Sequence, residues 1–247
     1  MSSILKIKKT NFLSFFCLIG LSFAMDISEL SYCGIDFQVK KNGFSGVSYI
    51  LIHGDEETAR MLLSEHIKKN KGKAFFIKSK EREVVLGPTK VDPNRIFSRT
   101  GARKALKKFK PHWDHKELTK LLEKLDESRN IFLFNIFPSE GGLLIALHNN
   151  FRGYSVKDEL ANSQLHSIKK DKNPRDFIIC TDLKDYQKLK KGPYNVVLQN
   201  IIDEDNNGSL SWPALENGVR YVNIETRLGW LSQQRKMLKF VESSLRK

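Results

Sequence analysis

The sequence predicts one α/β domain in which helices cover both faces of a sheet. Three observations lead there. Short apolar runs of strand length alternate with stretches whose apolar residues recur at helical spacing. The 247 residues are 40% hydrophobic and 28% charged, with only 15 Gly and 7 Pro, a packed globular composition that excludes collagen-like, low-complexity and wholly disordered chains. No internal repeat and no Gly-, Ser- or Pro-rich linker divides the chain, so a single domain is expected. Three cysteines at this length exclude a small disulfide-stapled scaffold.

Residues 1–24 read as an address rather than as part of the fold. Lys6, Lys8 and Lys9 precede an apolar core at 12–24 that is too short to span a bilayer comfortably, and Ser22 and Ala24 set small residues at the −3 and −1 positions of a cleavage site. A secretory signal peptide cut after Ala24 is expected, leaving 25–247 as an exported domain, periplasmic or secreted. Its loss takes away three lysines and no acid, so the formal charge falls from +14 to +11. No later stretch reaches 18 continuous apolar residues, and no transmembrane segment is expected there. Cys33 and Cys180 remain, and two cysteines alone do not settle whether they pair.

Within 25–247, residues 46–52 (GVSYILI) read as a buried strand, and 56–69 as a helix with Ala59, Met61, Leu62, Leu63 and Ile67 at helical spacing. Strands are expected at 74–77 and 83–86, and helices at 102–109 and 116–130. Further strands are expected at 131–137, 142–147, 177–180, 195–199 and 220–224, before a last helix at 232–246.

The informative residues stand where strands stop. His53-Gly54-Asp55-Glu56 follows the first buried strand, so an imidazole and a carboxylate three residues on can point at one position. Both are good zinc ligands, and catalytic zinc commonly takes two His and a Glu plus water. Gly54 between them is expected to let the backbone bend sharply. His148 closes the strand at 142–147, where parallel strands ending at one edge would set it beside His53. His66, His112, His115 and His166 lie in polar, lysine-rich or helical surroundings and are expected to face solvent. Asp92-Pro93-Asn94-Arg95 offers an amide and a rigid guanidinium fork suited to a carboxylate. In Asn223-Ile224-Glu225, a strand-end carboxylate near a metal is suited to general-base work.

Together, in this order, HxxE, an Asn-Arg pair, a single His after a strand and a late Glu resemble the zinc carboxypeptidase superfamily. The words HGDE, DPNR, LHNN and NIE are most similar to HGNE, DLNR, LHN and VE of its aspartoacylase and succinylglutamate desuccinylase branch. The resemblance spans roughly residues 47–229. It implies a single three-layer domain with a mixed, mostly parallel sheet. It also implies one Zn2+ per chain on His53, Glu56 and His148, with Asp92 orienting His53. Glu225 would serve as general base, and Asn94 and Arg95 would hold a substrate carboxylate. Arg82, the only arginine between Arg60 and Arg95, is the candidate to polarise the scissile carbonyl, and either Tyr154 or Tyr194 corresponds to the family's tyrosine. Pro93 departs from the usual Leu. Only 22 residues follow Glu225, so the extra C-terminal β domain of aspartoacylases is expected to be missing.

The leading expectation is an exported zinc-dependent amide hydrolase, carboxypeptidase-like, acting on a peptide with a free carboxylate, a cell-wall peptide among the candidates. Deacylation of an N-acyl amino acid is the alternative within enzymes, and a non-catalytic polyanion-binding protein on the same fold is the third reading. The basic runs at 66–82 and 99–110 read chiefly as solvated surface, with an anionic cell-envelope polymer as a further candidate partner. No nucleic-acid fold motif, phosphate loop, GxSxG or CxxC is present, so no specific nucleic acid is expected. Residues 203–209 resemble half of a calcium loop, but Ala214 stands where the bidentate Glu is wanted, and a polar turn is the expected reading.

Overall fold

The computed structural model describes residues 25–151 and 153–246, and the expected signal peptide lies outside them. In chain order the elements are β1 (Asp26–Tyr32), β2 (Ile35–Asn42), β3 (Val47–Leu51), α1 (Glu57–Lys69), β4 (Gly72–Ile77), β5 (Val84–Leu86), β6 (Thr89–Val91), α2 (Arg99–Phe109) and α3 (His115–Ile136). They continue as β7 (Leu143–Asn150), α4 (Val156–Glu159), β8 (Leu165–Ser167), β9 (Phe177–Cys180), α5 (Leu183–Leu189), β10 (Asn195–Leu198), α6 (Ser211–Glu216), β11 (Arg220–Arg227) and α7 (Leu231–Leu245).

Nine strands form one mixed sheet in the order β1-β2-β4-β3-β7-β11-β9-β10-β8, while β5 and β6 make a separate hairpin. Its centre is parallel: β4, β3, β7 and β11 run together. β9 then pairs antiparallel to β11, and β10 pairs parallel to β9. Buried on both faces, β3 and β7 read as near-continuous apolar runs, as central parallel strands must. Alternate residues feed two cores. Ile50, Ile52, Leu144 and Ala146 pack under α2 and α3, whereas Tyr49, Leu51, Ile145 and Leu147 pack under α1, α5 and α7. The α/β class with helices on both faces of a large mixed sheet therefore stands.

Residues 131–137, expected as a strand, are instead the last turns of α3 and its cap. Phe132, Leu133 and Ile136 are buried while Phe134 is 85% exposed, which is helical spacing rather than alternation. The run lies downstream of a helix already started by Asp114, which accepts from the Lys116 and Glu117 amides, and continuing it costs less than nucleating a strand. The β1–β2 hairpin escapes sequence reading because its two-residue turn is Cys33-Gly34. Both residues have positive φ, 52° and 90°, as a primed hairpin turn requires, without the usual Asn-Gly. Cys33 and Cys180 are free thiols in the two opposite cores.

Candidate metal centre

His53 and Glu56 stand between the end of β3 and the start of α1. Ile50 of β3 is the register partner of Ala146 in β7, so His148, two residues further on, comes beside His53. Glu225 of β11 is the register partner of His148. All lie at the carboxyl edge of the parallel strands, where open α/β sheets place their sites.

His53 Nδ1 lies 2.8 Å from Glu56 Oε1 and 3.3 Å from His148 Nδ1. His148 Nδ1 is 3.2 Å from Glu56 Oε2. All three side chains are buried, and their ligand atoms lie within 4.8 Å of one another. His53 Nε2 is 2.8 Å from Asp92 Oδ1, so with Nε2 donating to that carboxylate the Nδ1 lone pair faces the other two groups. Three electron-pair donors then converge on one point, and only a proton or a cation reconciles them. Glu56 Oε2 is buried without a well-formed hydrogen bond, a further mark of an incomplete ligand set. This buried His-Glu-His group could hold a metal ion.

The charges answer one another. Burial works against a protonated His53, but the Glu56 and Asp92 carboxylates outweigh it and lift its pKa to about 9. Burial alone would raise Glu56; His148 and His53 instead hold it far below the usual carboxylate range. Asp92 is likewise depressed against its burial, by His53 and then by Arg95 and Arg82. Arg82 reaches Glu56 Oε1 at 3.3 Å, with Asp55 and Asp92 each 3.9 Å away, so it neutralises the acids around the triad. Gly54 has a reason other than the expected bend. Its backbone is not left-handed, but a Cβ there would meet the Ser79 carbonyl oxygen at 2.3 Å, so glycine lets the loop leading to Arg82 pack against the triad's own turn.

A cleft of about 390 Å³ opens over the triad and is lined by His53, Glu56, His148, Arg82, Asn94, Arg95 and Glu225, among others. Asp92 lies behind His53, and its Oδ1 also accepts from the Asn94 amide, which starts a short 3-10 turn at Pro93–Arg95. Asn94 Oδ1 accepts from the Leu210 amide at 3.0 Å, leaving Nδ2 as its offering to the cleft. Arg95 donates to the Asn94 carbonyl at 2.8 Å and, among the described residues, has no carboxylate at ion-pair distance. Of the two tyrosines, Tyr154 lines the cleft, and Tyr194 packs on Phe240 at another surface.

Glu225 Oε2 accepts from Asn150 Nδ2 at 3.3 Å and Oε1 from Asn223 Nδ2 at 3.2 Å. Burial raises its pKa, His148 pulls it down, and Glu56 pushes it up again, for a net rise. Sequence reading quoted both asparagines within LHNN and NIE but gave them no task; their side-chain amides are what keep a buried carboxylate hydrogen-bonded. Lys108, from the basic run at 99–110, also lines the cleft, as do Glu159, Gln199 and Trp212, which carried no local signal.

Elsewhere, His112, His115 and His166 are exposed as expected, but His66 is not. Its Nε2 lies 3.1 Å from Glu242 Oε1 and 3.2 Å from Tyr49 Oη, in a clasp between α1, β3 and α7. In the 203–209 loop, Asp203, Asn206 and Asn207 spend side-chain oxygens on nearby backbone amides, which is turn chemistry. Among the described residues no helix is long and apolar enough to cross a membrane. Comparison of the chain with protein-family models, curated proteins and solved structures returns no match.

Proposed function

We propose that this chain is a zinc-dependent amide hydrolase of carboxypeptidase-like fold, acting on a peptide that bears a free carboxylate. The observation that carries the proposal is the buried convergence of His53, Glu56 and His148, with Glu225 in register beside His148. Two imidazoles and one carboxylate are the donor set of catalytic zinc. A zinc ion held there would supply Lewis acidity, polarising a carbonyl and making water a better nucleophile near neutral pH.

The chain's own groups divide the remaining work. Glu225 takes a proton from the attacking water on a carboxylate oxygen and delivers it to the leaving nitrogen, and its raised pKa suits both transfers. Asn150 and Asn223 donate to that carboxylate and keep it aimed. Arg95, without a carboxylate partner among the described residues, pairs with the substrate's carboxylate beside the Asn94 amide, which fixes the bond presented to the water. Asp92 holds the His53 ring in orientation from behind.

The test is metal content of the chain purified without chelators, beside the His148→Ala variant. About one zinc per chain, lost in the variant, is expected for a three-residue ligand set. A folded wild type that takes up no added zinc overturns the reading.

A further inference from the structure

The cleft occupies the carboxyl edge of the parallel strands, and the opposite edge of the sheet has a character of its own. β2 runs antiparallel to β4, and α1 runs back from the metal site. The end of β2, the end of α1, the β2–β3 loop and the approach to β4 therefore meet at the amino edge. They bring Lys40, Lys41, Lys68, Lys69, Lys71 and Lys73 together around Phe44. Lys40 Nζ lies 4.8 Å from the Phe76 ring and Lys73 Nζ 5.8 Å from the Phe75 ring, on opposite faces of the sheet, so cations flank the edge on both sides.

Ordinary structural duties do not account for this gathering. Among the described residues the lysine ion pairs are those of Lys78, Lys104 and Lys110, so none of the six has an acid at ion-pair distance. Lys41 and Lys73 are register partners, and like charges directly opposite repel. Burial, and then Lys68 and Arg60, lower the pKa of Lys40. Lysines at a helix end can answer its unpaired carbonyls, but Asn42 Nδ2 already donates to those of Ile67, Lys68 and Asn70, at 2.9, 3.3 and 3.2 Å. Like charges held together without partners form a field that attracts an anionic surface. Phe44 indicates which kind. It is 86% exposed at the tip of the β2–β3 loop, with Lys41 Nζ 4.3 Å from its ring centroid and the Lys71 stem beside neighbouring Gly43. A hydrated polymer offers a bare ring nothing to enter, whereas a bilayer interface takes aromatic rings at headgroup level beside basic side chains.

We infer that the amino edge of the sheet docks on an anionic lipid bilayer, with the six lysines over the headgroups and the Phe44 ring entering the interface. The metal cleft, at the far edge of the sheet, then faces away from the bilayer. The inference goes beyond the hydrolase reading and is independent of it, because neither a metal nor turnover enters it.

The experiment sediments the chain from Met25 onward, which holds every described element and both cores without the apolar stretch at 12–24, with lipid vesicles. The vesicles are phosphatidylcholine alone, or the same lipid with about one-third phosphatidylglycerol. Binding is expected only with phosphatidylglycerol, and it should weaken as salt rises. Replacing Lys68, Lys69 and Lys71 together by Gln should lower affinity about 100-fold, at roughly fivefold for each lysine near the surface. Replacing Lys116, Lys120 and Lys124 by Gln removes the same charge from the first half of α3, which lies towards the cleft edge because α3 ends where β7 begins, and should change affinity less than about twofold. Phe44→Ser should lower affinity about tenfold. Circular dichroism establishes that the variants are folded. Equal losses from the two lysine triples would mean that diffuse net charge does the binding and would overturn the surface. Vesicle binding that Phe44→Ser leaves unchanged, or binding to heparin without binding to vesicles, overturns the bilayer in favour of a soluble polyanion. Sedimentation with neither vesicle, and no heparin binding, overturns the inference outright.

Discussion

Asn149 is where the metal-site strand is tied to the two helices behind it, and removing it should destabilise the chain by a calculable amount. Its neighbours His148 and Asn150 face the cleft; Asn149, one residue out of phase, faces α1 and α7. There Oδ1 accepts from the Ala59 amide at 2.7 Å, and Nδ2 donates to Gln234 Oε1 at 3.2 Å. Gln234 in turn donates to the His148 carbonyl at 3.0 Å. The bond to Ala59 matters because Glu56 occupies the N-cap position of α1 and makes no side-chain cap, its carboxylate being turned to the histidines. Asn149 therefore caps α1 from another strand, satisfying one of the amides that a helix start leaves without an intrahelical partner.

Asn149→Ala leaves the Ala59 amide and the Gln234 carbonyl oxygen unpaired in a buried site. Loss of a cap costs about 0.5–2 kcal/mol, and a buried polar group left unsatisfied about 1–3 kcal/mol. Since the two partly overlap, about 2–4 kcal/mol in all is expected, a fall in Tm of about 5–15 °C for a domain of this size. Urea unfolding measures the first and thermal melting the second. A double-mutant cycle with Gln234→Ala should return a coupling of about 1 kcal/mol for the shared bond. A loss within about 0.5 kcal/mol, the range of ordinary surface substitutions, would refute the capping role.

Three further outcomes are expected. Asp92→Ala frees the His53 ring and should weaken zinc affinity about 10- to 100-fold, as loss of such an orienting partner does, with competition against a chelator as the measurement. Glu225→Gln should abolish peptide turnover while leaving about one zinc per chain by elemental analysis, and retained turnover would remove Glu225 from the mechanism. At Glu242, burial favours the neutral acid, but the His66, Tyr49 and Arg246 partners outweigh it and depress the pKa below its ordinary 4.5. A depressed folded pKa means that the stabilisation is complete above 4.5 and is lost as pH falls through it towards the folded value. The stability gap between wild type and Glu242→Gln should therefore be widest near neutral pH and close below 4.5 in urea unfolding, and a gap independent of pH would contradict the clasp.

The geometry of the candidate site was legible because its residues come in short words at strand ends. His53 and Glu56 are three residues apart, and Asp92 is two from Asn94, so each pair is set by local turn geometry that sequence carries. His148 and Glu225 needed only the assumption that apolar runs ending in polar residues stop at one edge of a sheet. Where the sequence misled, distant contacts decided. An apolar run at 131–137 has no period of its own and took the conformation of the helix already running into it. His66 sits among lysines in sequence, yet Tyr49 and Glu242 reach it from β3 and α7.

The far part of the cleft was illegible for a topological reason. Beyond β11 the sheet reverses: β9 and β10 run antiparallel to it, so the residues that meet Asn223 come from strands whose carboxyl ends point away from the metal edge. No pattern of strand-end words can find Gln199 from that side, and Glu159 arrives from a four-residue helix. The reversal has a mechanistic consequence on the proposed reading. Asn223 and Glu225 are two residues apart on one strand and share one face, so one side chain holds the base with its Nδ2 while its Oδ1 stays buried without a partner beside the cleft. A substrate N–H that completes Asn223 Oδ1 also fixes the rotamer from which Nδ2 donates to Glu225. Recognition of the substrate and aim of the base then draw on the same amide, so loss of Asn223 should appear in kcat as well as in KM.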